Sequence, residues 1–248
     1  MYKIYAVFQG QREVDMSRAL PGAAAPGEMG YIAYFMYVLK GEGRTILVDT
    51  GMDNEEAEKR KLKGTDYLEG MLKKLDKDPV NVDTVILTHL HGDHFSAHEL
   101  YPNATFYVQK KDVDFFAEGA KFRQVTEFAP DMAKVNKLIQ ANKLKFLDGD
   151  SELFPGIKVV LIGGHSPGSQ AIVVTTKQGD AVLCGDAVDL YRTLDEEIIG
   201  MYVDLMPALW GMDKIRALTS SPKLIIPGHE PLVMQKFPNP IEGVAEIG

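Results

Sequence analysis

The chain has a single cysteine, Cys184, so no internal disulfide can form. No apolar run approaches the ~18 residues that a membrane-spanning helix needs. Met1-Tyr2-Lys3-Ile4-Tyr5 leads straight into strand-like sequence, without the basic and apolar segments of a secretion signal. Basic residues are the minority: 27 Lys and Arg against 35 Asp and Glu leave a formal net charge of −8. That balance argues against nucleic acid or an anionic membrane as partner, since both ask for a basic face. Short-period repeats and low-complexity linkers are also missing, so residues 1–248 read as one domain. A cytoplasmic protein acting on a small molecule is the expectation, with a homodimer as the base-rate assembly. Histidine is scarce too, and with only six in the chain their placement is informative.

Several β-branched runs end in a polar residue. Thr45-Ile46-Leu47-Val48 leads to Asp49-Thr50-Gly51, and Thr84-Val85-Ile86-Leu87-Thr88 leads to His89. Lys158 to Ile162 leads through two glycines to His165, Ala181 to Cys184 leads to Gly185-Asp186, and Leu224-Ile225-Ile226 leads to Pro227-Gly228-His229. Short runs of this kind bounded by turns are buried strands. If they share a sheet, their end loops converge, and loops on a rigid scaffold are where chemistry sits. Gly41-Glu42-Gly43 and Pro155-Gly156 read as turns. Between the strands, Leu68, Met71, Leu72 and Leu75 make one apolar stripe; Met132, Val135, Leu138 and Ile139 a second; Met212, Ile215 and Leu218 a third. The three-to-four spacing predicts half-buried helices, and the alternation of strand and helix predicts a layered α/β fold.

Four histidines fall in Thr88-His89-Leu90-His91-Gly92-Asp93-His94-Phe95-Ser96-Ala97-His98. A neutral imidazole offers a nitrogen lone pair near pH 7, which makes histidine the commonest metal ligand. Spacing this tight after a strand can aim His89 and His91 at one ion and Asp93 and His94 at another. A solvated cluster or an expression tag would not sit in mid-chain directly behind a buried strand. His94 and His98 are four apart, as in zinc proteases, but Phe95 stands where that motif needs glutamate. His98 is therefore expected to be an ordinary polar residue. His165 and His229 follow strands and are flanked by glycine that frees the backbone for a turn. Asp186 offers two oxygens and can bridge two cations. Cys184 is expected to be a small buried hydrophobe.

Taken in order from Ile46 to Glu230, these motifs resemble the metallo-β-lactamase superfamily. The resemblance implies a four-layer αββα sandwich, mixed sheets inside and helices on the outer faces, with a dinuclear site at one edge. It implies that His89, His91 and His165 hold one ion, that Asp93, His94 and His229 hold the other, and that Asp186 bridges them. Asp49 is then expected to orient a ligand histidine through its ring N–H. Only nineteen residues follow His229, which leaves no room for the appended helical domain of glyoxalase II-type hydrolases. The stretches Gly164 to Gln170, Gly185 to Val188 and Pro227 to Leu232 are similar to the compact quorum-quenching lactonases, which open N-acyl homoserine lactones. Those enzymes usually carry a tyrosine three residues after the bridging aspartate. Here Asp189 stands there, and the nearest tyrosine is Tyr191.

The implied chemistry is attack on an ester carbonyl by hydroxide held between two divalent ions, zinc first, with manganese or iron as alternatives. Asp186 bridges, Asp93 carries the proton to the leaving oxygen, and Tyr191 is the candidate for a hydrogen bond to the oxyanion. A small lactone or ester is the expected substrate. The alternatives are another ester or phosphodiester hydrolase, or an iron-dependent oxidoreductase of the sulfur dioxygenase kind. On the substrate side, the Ala-, Gly-, Pro- and Met-rich stretch from Met16 to Met29 is a candidate apolar lip. Phe115 to Pro130 is a candidate cap that more simply packs on the fold, and Tyr202, Met206 and Trp210 are candidates for either pocket or core.

Overall fold

The computed structural model describes residues 1–119 and 129–248. Twelve strands among them form two sheets. β1 (Tyr2–Asp15), β2 (Met29–Gly41), β3 (Arg44–Val48), β4 (Thr84–Ile86), β5 (Thr105–Gln109), β6 (Leu144–Leu147) and β12 (Val244–Ile247) make the larger sheet, in the order β12-β1-β2-β3-β4-β5-β6. β7 (Ser151–Phe154), β8 (Ile157–Leu161), β9 (Gln170–Thr176), β10 (Gly179–Leu183) and β11 (Ile225–Ile226) make the smaller, in the order β11-β10-β9-β8-β7. Both sheets are mixed. From β12 to β3 the pairing is antiparallel and from β3 to β6 parallel; β10 and β11 are parallel and the other pairs of the smaller sheet antiparallel. Between β2 and β3, Glu42 and Gly43 both take positive φ, the backbone of a two-residue hairpin turn that matches strand twist.

Alternation along the strands sorts side chains into layers. Ile4, Ala6, Phe35, Tyr37, Leu39, Ile46, Val48 and Ile86 face inward and meet Ile157, Val159, Ile172, Val174, Ala181, Leu183 and Ile226 from the smaller sheet. Their sequence neighbours Val7, Met36, Val38, Leu47 and Val85 face the opposite way, against Leu68, Met71 and Leu72 of the helix Thr65–Lys74, and against Phe116 and Val135. On the far side, Val160, Val173 and Val182 pack against Ala208, Met212 and Ile215 of the helix Leu205–Ala217. Each fully buried Leu or Val is worth ~1.5–3 kcal/mol of hydrophobic stabilisation, so a period-two strand buried on both faces supports two cores at once. The result is helix, sheet, sheet, helix, the αββα arrangement anticipated above. Among the described residues no helix is long and apolar enough to cross a membrane.

All three predicted stripes lie on helices, at Thr65–Lys74, Met132–Gln140 and Leu205–Ala217. One expectation is corrected. The strands that end in polar residues do not share a sheet: β3 and β4 belong to the larger one, and β8, β10 and β11 to the smaller. Their ends still converge because the sheets are joined beneath the site. Leu87 and Thr88 run past the end of β4 and bond across the gap. Gln170 N–H donates to Thr88 O at 3.0 Å and Gln170 Nε2 to Leu87 O at 2.7 Å. Gln109 Nε2 in turn donates to Gln170 Oε1 at 2.9 Å.

Candidate metal centre

Four loops, one behind a strand of the larger sheet and three behind strands of the smaller, deliver seven side chains to one edge of the sandwich. The donor atoms of His89, His91, His165 and Asp186 lie within 4.8 Å of one another, and so do those of Asp93, His94 and His229. A third such group consists of Asp186, Asp189 and His229. The structure thus brings together all seven residues that the motifs predicted as ligands, and adds Asp189.

Backbone conformation explains several placements. His91 precedes a single helical turn, Gly92–Phe95, which carries Asp93 and His94. Gly163 and Gly164 both have positive φ, and a Cβ on Gly164 would fall within 2.6 Å of Ala208 backbone and side-chain atoms, so this turn admits only glycine. Gly228 serves differently. Its φ is ordinary, but a Cβ there would sit 2.5 Å from Gly185 O, so the glycine permits close packing and not a turn.

Each imidazole is held from behind. His94 Nδ1 donates to Asp49 Oδ2 at 2.8 Å, while Asp49 accepts from Thr88 N–H and Thr88 Oγ1 at 2.7 and 2.9 Å. Asp49 adopts φ 61°, a left-handed conformation that aspartate tolerates better than most residues. His229 Nδ1 donates to Ala33 O at 2.7 Å and His165 Nδ1 to Met201 O at 3.1 Å. Thr88 Oγ1 lies 3.1 Å from His89 Nδ1, and Phe116 packs edge-on against His91. These contacts leave the Nε2 atoms of His89, His94, His165 and His229 facing inward.

A metal pair suits what these atoms do there. His89 Nε2, His94 Nε2 and Asp186 Oδ1 are buried and make no hydrogen bond. His94 Nε2 and Asp186 Oδ1 are only 3.1 Å apart yet not aligned with one another, the arrangement expected of lone pairs aimed at a shared third point. Buried polar atoms normally find partners, and nitrogen and carboxylate donors in this combination fit zinc, manganese or iron. The electrostatics of the bare protein agree. Burial pushes His89 well down and His91 to about 3, each helped by the neighbouring imidazoles. Burial also opposes charge on His94 and His229, but Asp186 and Asp93 outweigh it, raising His94 well above the usual range and His229 to about 9. The neighbouring carboxylates thus favour positive charge at those two rings.

An open cleft of about 610 Å³ leads to these groups. His91, Asp93, Asp186, Asp189 and His229 line its floor, and Val14, Met29, Ile32 and Tyr34 line a wall that also carries Arg12, Arg18 and Arg60. Register explains much of that wall: Arg12 pairs with Ile32 and Gly10 with Tyr34 across β1 and β2, so Arg12, Ile32 and Tyr34 share a face, and Glu13 and Asp15 also reach the cleft. The candidate lip is therefore divided. Met16, Leu20 and Ala24 pack with Leu190 in a small cluster of their own, and only the ends of the stretch reach the cleft.

Other expectations change as well. Tyr191 does not line the cleft. Lys236 lies over its ring, 3.3 Å from the centroid, and its hydroxyl is buried without a hydrogen-bond partner; Asp189 occupies the cleft side of this segment instead. Tyr202, Met206 and Trp210 lie in neither pocket nor core; they are exposed, Trp210 by 64 %. His98 is buried and stacked on Phe95 at 4.5 Å, a packed residue and no surface polar one. Cys184 is buried in the outer core as expected. Phe115 and Phe116 pack on the fold within the helix Lys110–Gly119, while Phe122 and Phe128 lie outside the described residues.

Asp112 was missed altogether. It is fully buried, and its Oδ2 accepts from Leu90 N–H at 2.8 Å while Oδ1 accepts from Gly168 N–H at 2.9 Å and from Ser166 Oγ. One carboxylate thus ties the loop of His89 and His91 to the loop of His165. Its signal was the same as the others, an acid shortly after a strand, here Thr105–Gln109.

A family model described as the metallo-beta-lactamase superfamily matches residues 31–229. The N-acyl homoserine lactonase AiiA of Bacillus thuringiensis subsp. kurstaki is 26% identical over 244 residues, covering 92% of this chain and 93% of the relative. The crystal structure of a quorum-quenching N-acyl homoserine lactone lactonase superposes with a TM-score of 0.73 at 25% identity, covering 92% of each chain. An N-acyl homoserine lactone hydrolase with N-hexanoyl-L-homoserine at its catalytic metal center shares the fold, with a TM-score of 0.76 at 24% identity and 95% and 96% coverage.

Proposed function

This chain belongs to the metallo-β-lactamase superfamily, and we propose that residues 1–248 act as one domain, a dinuclear metal-dependent hydrolase that opens a lactone or a related small ester. The observation that carries this reading is the meeting of two donor groups at the floor of an open cleft, with imidazole and carboxylate atoms buried there and left without hydrogen bonds. His89, His91 and His165 are assigned to one ion, Asp93, His94 and His229 to the other, and Asp186 to both. When bound, two such ions lower the pKa of a shared water toward ~7 and polarise an ester carbonyl.

The chain's own residues do the rest. Asp49, Ala33 O and Met201 O take the outward ring N–H of His94, His229 and His165, fixing each tautomer so that Nε2 faces the cleft. Asp93 lines the cleft beside Asp186, and it is assigned the transfer of a proton to the leaving oxygen. Lactone opening is taken from the relatives, whose names make N-acyl homoserine lactones their substrates. The test is ring opening, followed as acid release, by protein loaded in turn with zinc, manganese and iron. Failure to open any lactone, by protein shown to hold two ions, would overturn the reading.

One observation favours a second reading, hydrolysis of an anionic ester or phosphodiester. An alkyl chain needs no cation, yet three guanidinium groups stand on the cleft wall. Arg60 lies 5.8 Å over the Tyr34 ring and pairs with Glu56, whereas Arg12 and Arg18 have no ion pair among the described residues. Guanidinium groups are suited to carboxylate and phosphate. Including a phosphodiester and a carboxylate-bearing lactone in the same panel separates the two readings.

A further inference from the structure

We propose that Asp189 is an additional metal ligand, which gives the ion held by Asp93, His94 and His229 a third carboxylate. This rests on the dinuclear reading above and extends it to a residue outside the seven. Asp189 stands three positions after Asp186, where the lactonases that the sequence resembles carry a tyrosine. Its side chain is 8 % exposed, lines the cleft floor, and has one oxygen, Oδ1, buried with no hydrogen-bond partner. Its donor atom lies within 4.8 Å of those of Asp186 and His229.

The backbone holds it there. His229 N–H donates to Asp189 O and Gly228 N–H to Val188 O, both at 2.9 Å, so the two loops are laced together and Asp189 cannot move independently of His229. Nothing in the protein satisfies the free oxygen. Asp186 beside it is another carboxylate, and His229 Nε2 is already directed at Asp186 Oδ2, 3.2 Å away. A buried carboxylate that faces a like charge is costly unless a cation joins it. A donor set of Asp93, Asp186 and Asp189 with His94 and His229 is richer in oxygen than the His89, His91, His165 and Asp186 set. Carboxylate oxygens suit manganese, whereas imidazole-rich sets suit zinc and iron, so the two positions differ in metal preference.

The experiment uses the full chain, stripped with chelator and titrated with manganese and with zinc against a chromophoric competitor. Manganese electron paramagnetic resonance reports whether the two positions fill as a pair. In Asp189→Asn, one of the two equivalents weakens by ~10–100-fold, the range for disturbing a metal's supporting groups, and the other stays at the wild-type affinity. The spectrum of the spin-coupled pair then gives way to that of a single ion at stoichiometric metal. Asp189→Ala separates ligation from folding. A ligand leaves the metal-free thermal midpoint unchanged or raised, because repulsion with Asp186 is relieved, and lowers only the metal-loaded midpoint. Two wild-type equivalents in Asp189→Asn would overturn the proposal, as would a lowered metal-free midpoint or failure of both variants to fold, since Asp189 would then serve the fold. Wild-type protein that takes up fewer than two ions would instead sink the dinuclear reading itself.

Discussion

Replacing Asp112 with asparagine tests whether one buried carboxylate holds the candidate centre together. Its three acceptor bonds are divided, with Leu90 N–H on Oδ2 and Gly168 N–H and Ser166 Oγ on Oδ1. The amide of Asp112→Asn keeps one oxygen. Placed at Oδ1 it preserves two bonds and turns an NH2 toward the Leu90 N–H; flipped, it preserves one and loses two. At least one bond to a charged acceptor is lost and a buried backbone donor is left unpaired, which costs about 2 kcal/mol. In a chain of this length that lowers the thermal midpoint by ~4–8 °C. The effect is larger in metal-loaded protein, because the two loops that Asp112 joins carry His89, His91 and His165. The assay is thermal unfolding of wild type and variant, each with chelator and with saturating zinc. A shift of less than ~1 °C in both states, or equal loss in the two, would refute the claim that Asp112 positions the histidines.

Three further outcomes are expected. Asp49→Asn keeps a residue tolerant of left-handed backbone but loses the anion facing His94 Nδ1; chelator competition should show metal affinity lower by ~10–100-fold with the circular dichroism spectrum unchanged. Gly164→Ala combines φ 85° with a Cβ forced against the Ala208 backbone; a destabilisation of ~3 kcal/mol or more is expected from strain and overpacking together, read as the denaturation midpoint, and near-wild-type stability would contradict the turn described. Chelation of loaded wild-type protein leaves Asp93, Asp186 and Asp189 crowded without cations; at a hundredfold excess over Kd each ion contributes ~2.7 kcal/mol, so removing one lowers the midpoint by about 5–10 °C.

Much of this was legible in the residues, and the rest was hidden for identifiable reasons. The donor residues announced themselves because chemistry confines histidine and aspartate to few uses behind a buried strand. Layer order followed from a resemblance, not from the runs themselves. Val173 and Val182 face the outer helices while Ile172, Val174, Ala181 and Leu183 face the other sheet, and a strand covered on both sides reads the same whichever sheet it joins. Asp112 was hidden because a carboxylate's burial depends on donors far along the chain. Trp210 misled because the helix Leu205–Ala217 is apolar on both sides: Ala208, Gly211, Met212 and Ile215 are buried, and Leu205, Met206 and Trp210 are not. Tyr191 misled because it opens the short helix Tyr191–Asp195 and lies beneath Lys236, whereas Asp189, two residues earlier, lines the cleft.

The hairpin of β1 and β2 is hydrogen-bonded to the candidate centre at Ala33. Ala33 exchanges two main-chain and ring contacts with His229, through Ala33 N–H to His229 O at 2.8 Å and His229 Nδ1 to Ala33 O at 2.7 Å. One residue outward the same ribbon carries the Arg12–Ile32 pair, and beyond it Met16, Leu20 and Ala24 of the tip segment pack together and against Leu190. Selection can therefore lengthen, shorten or recharge the tip to suit a new substrate while the reaction centre stays put, provided the graft stops short of Ala33.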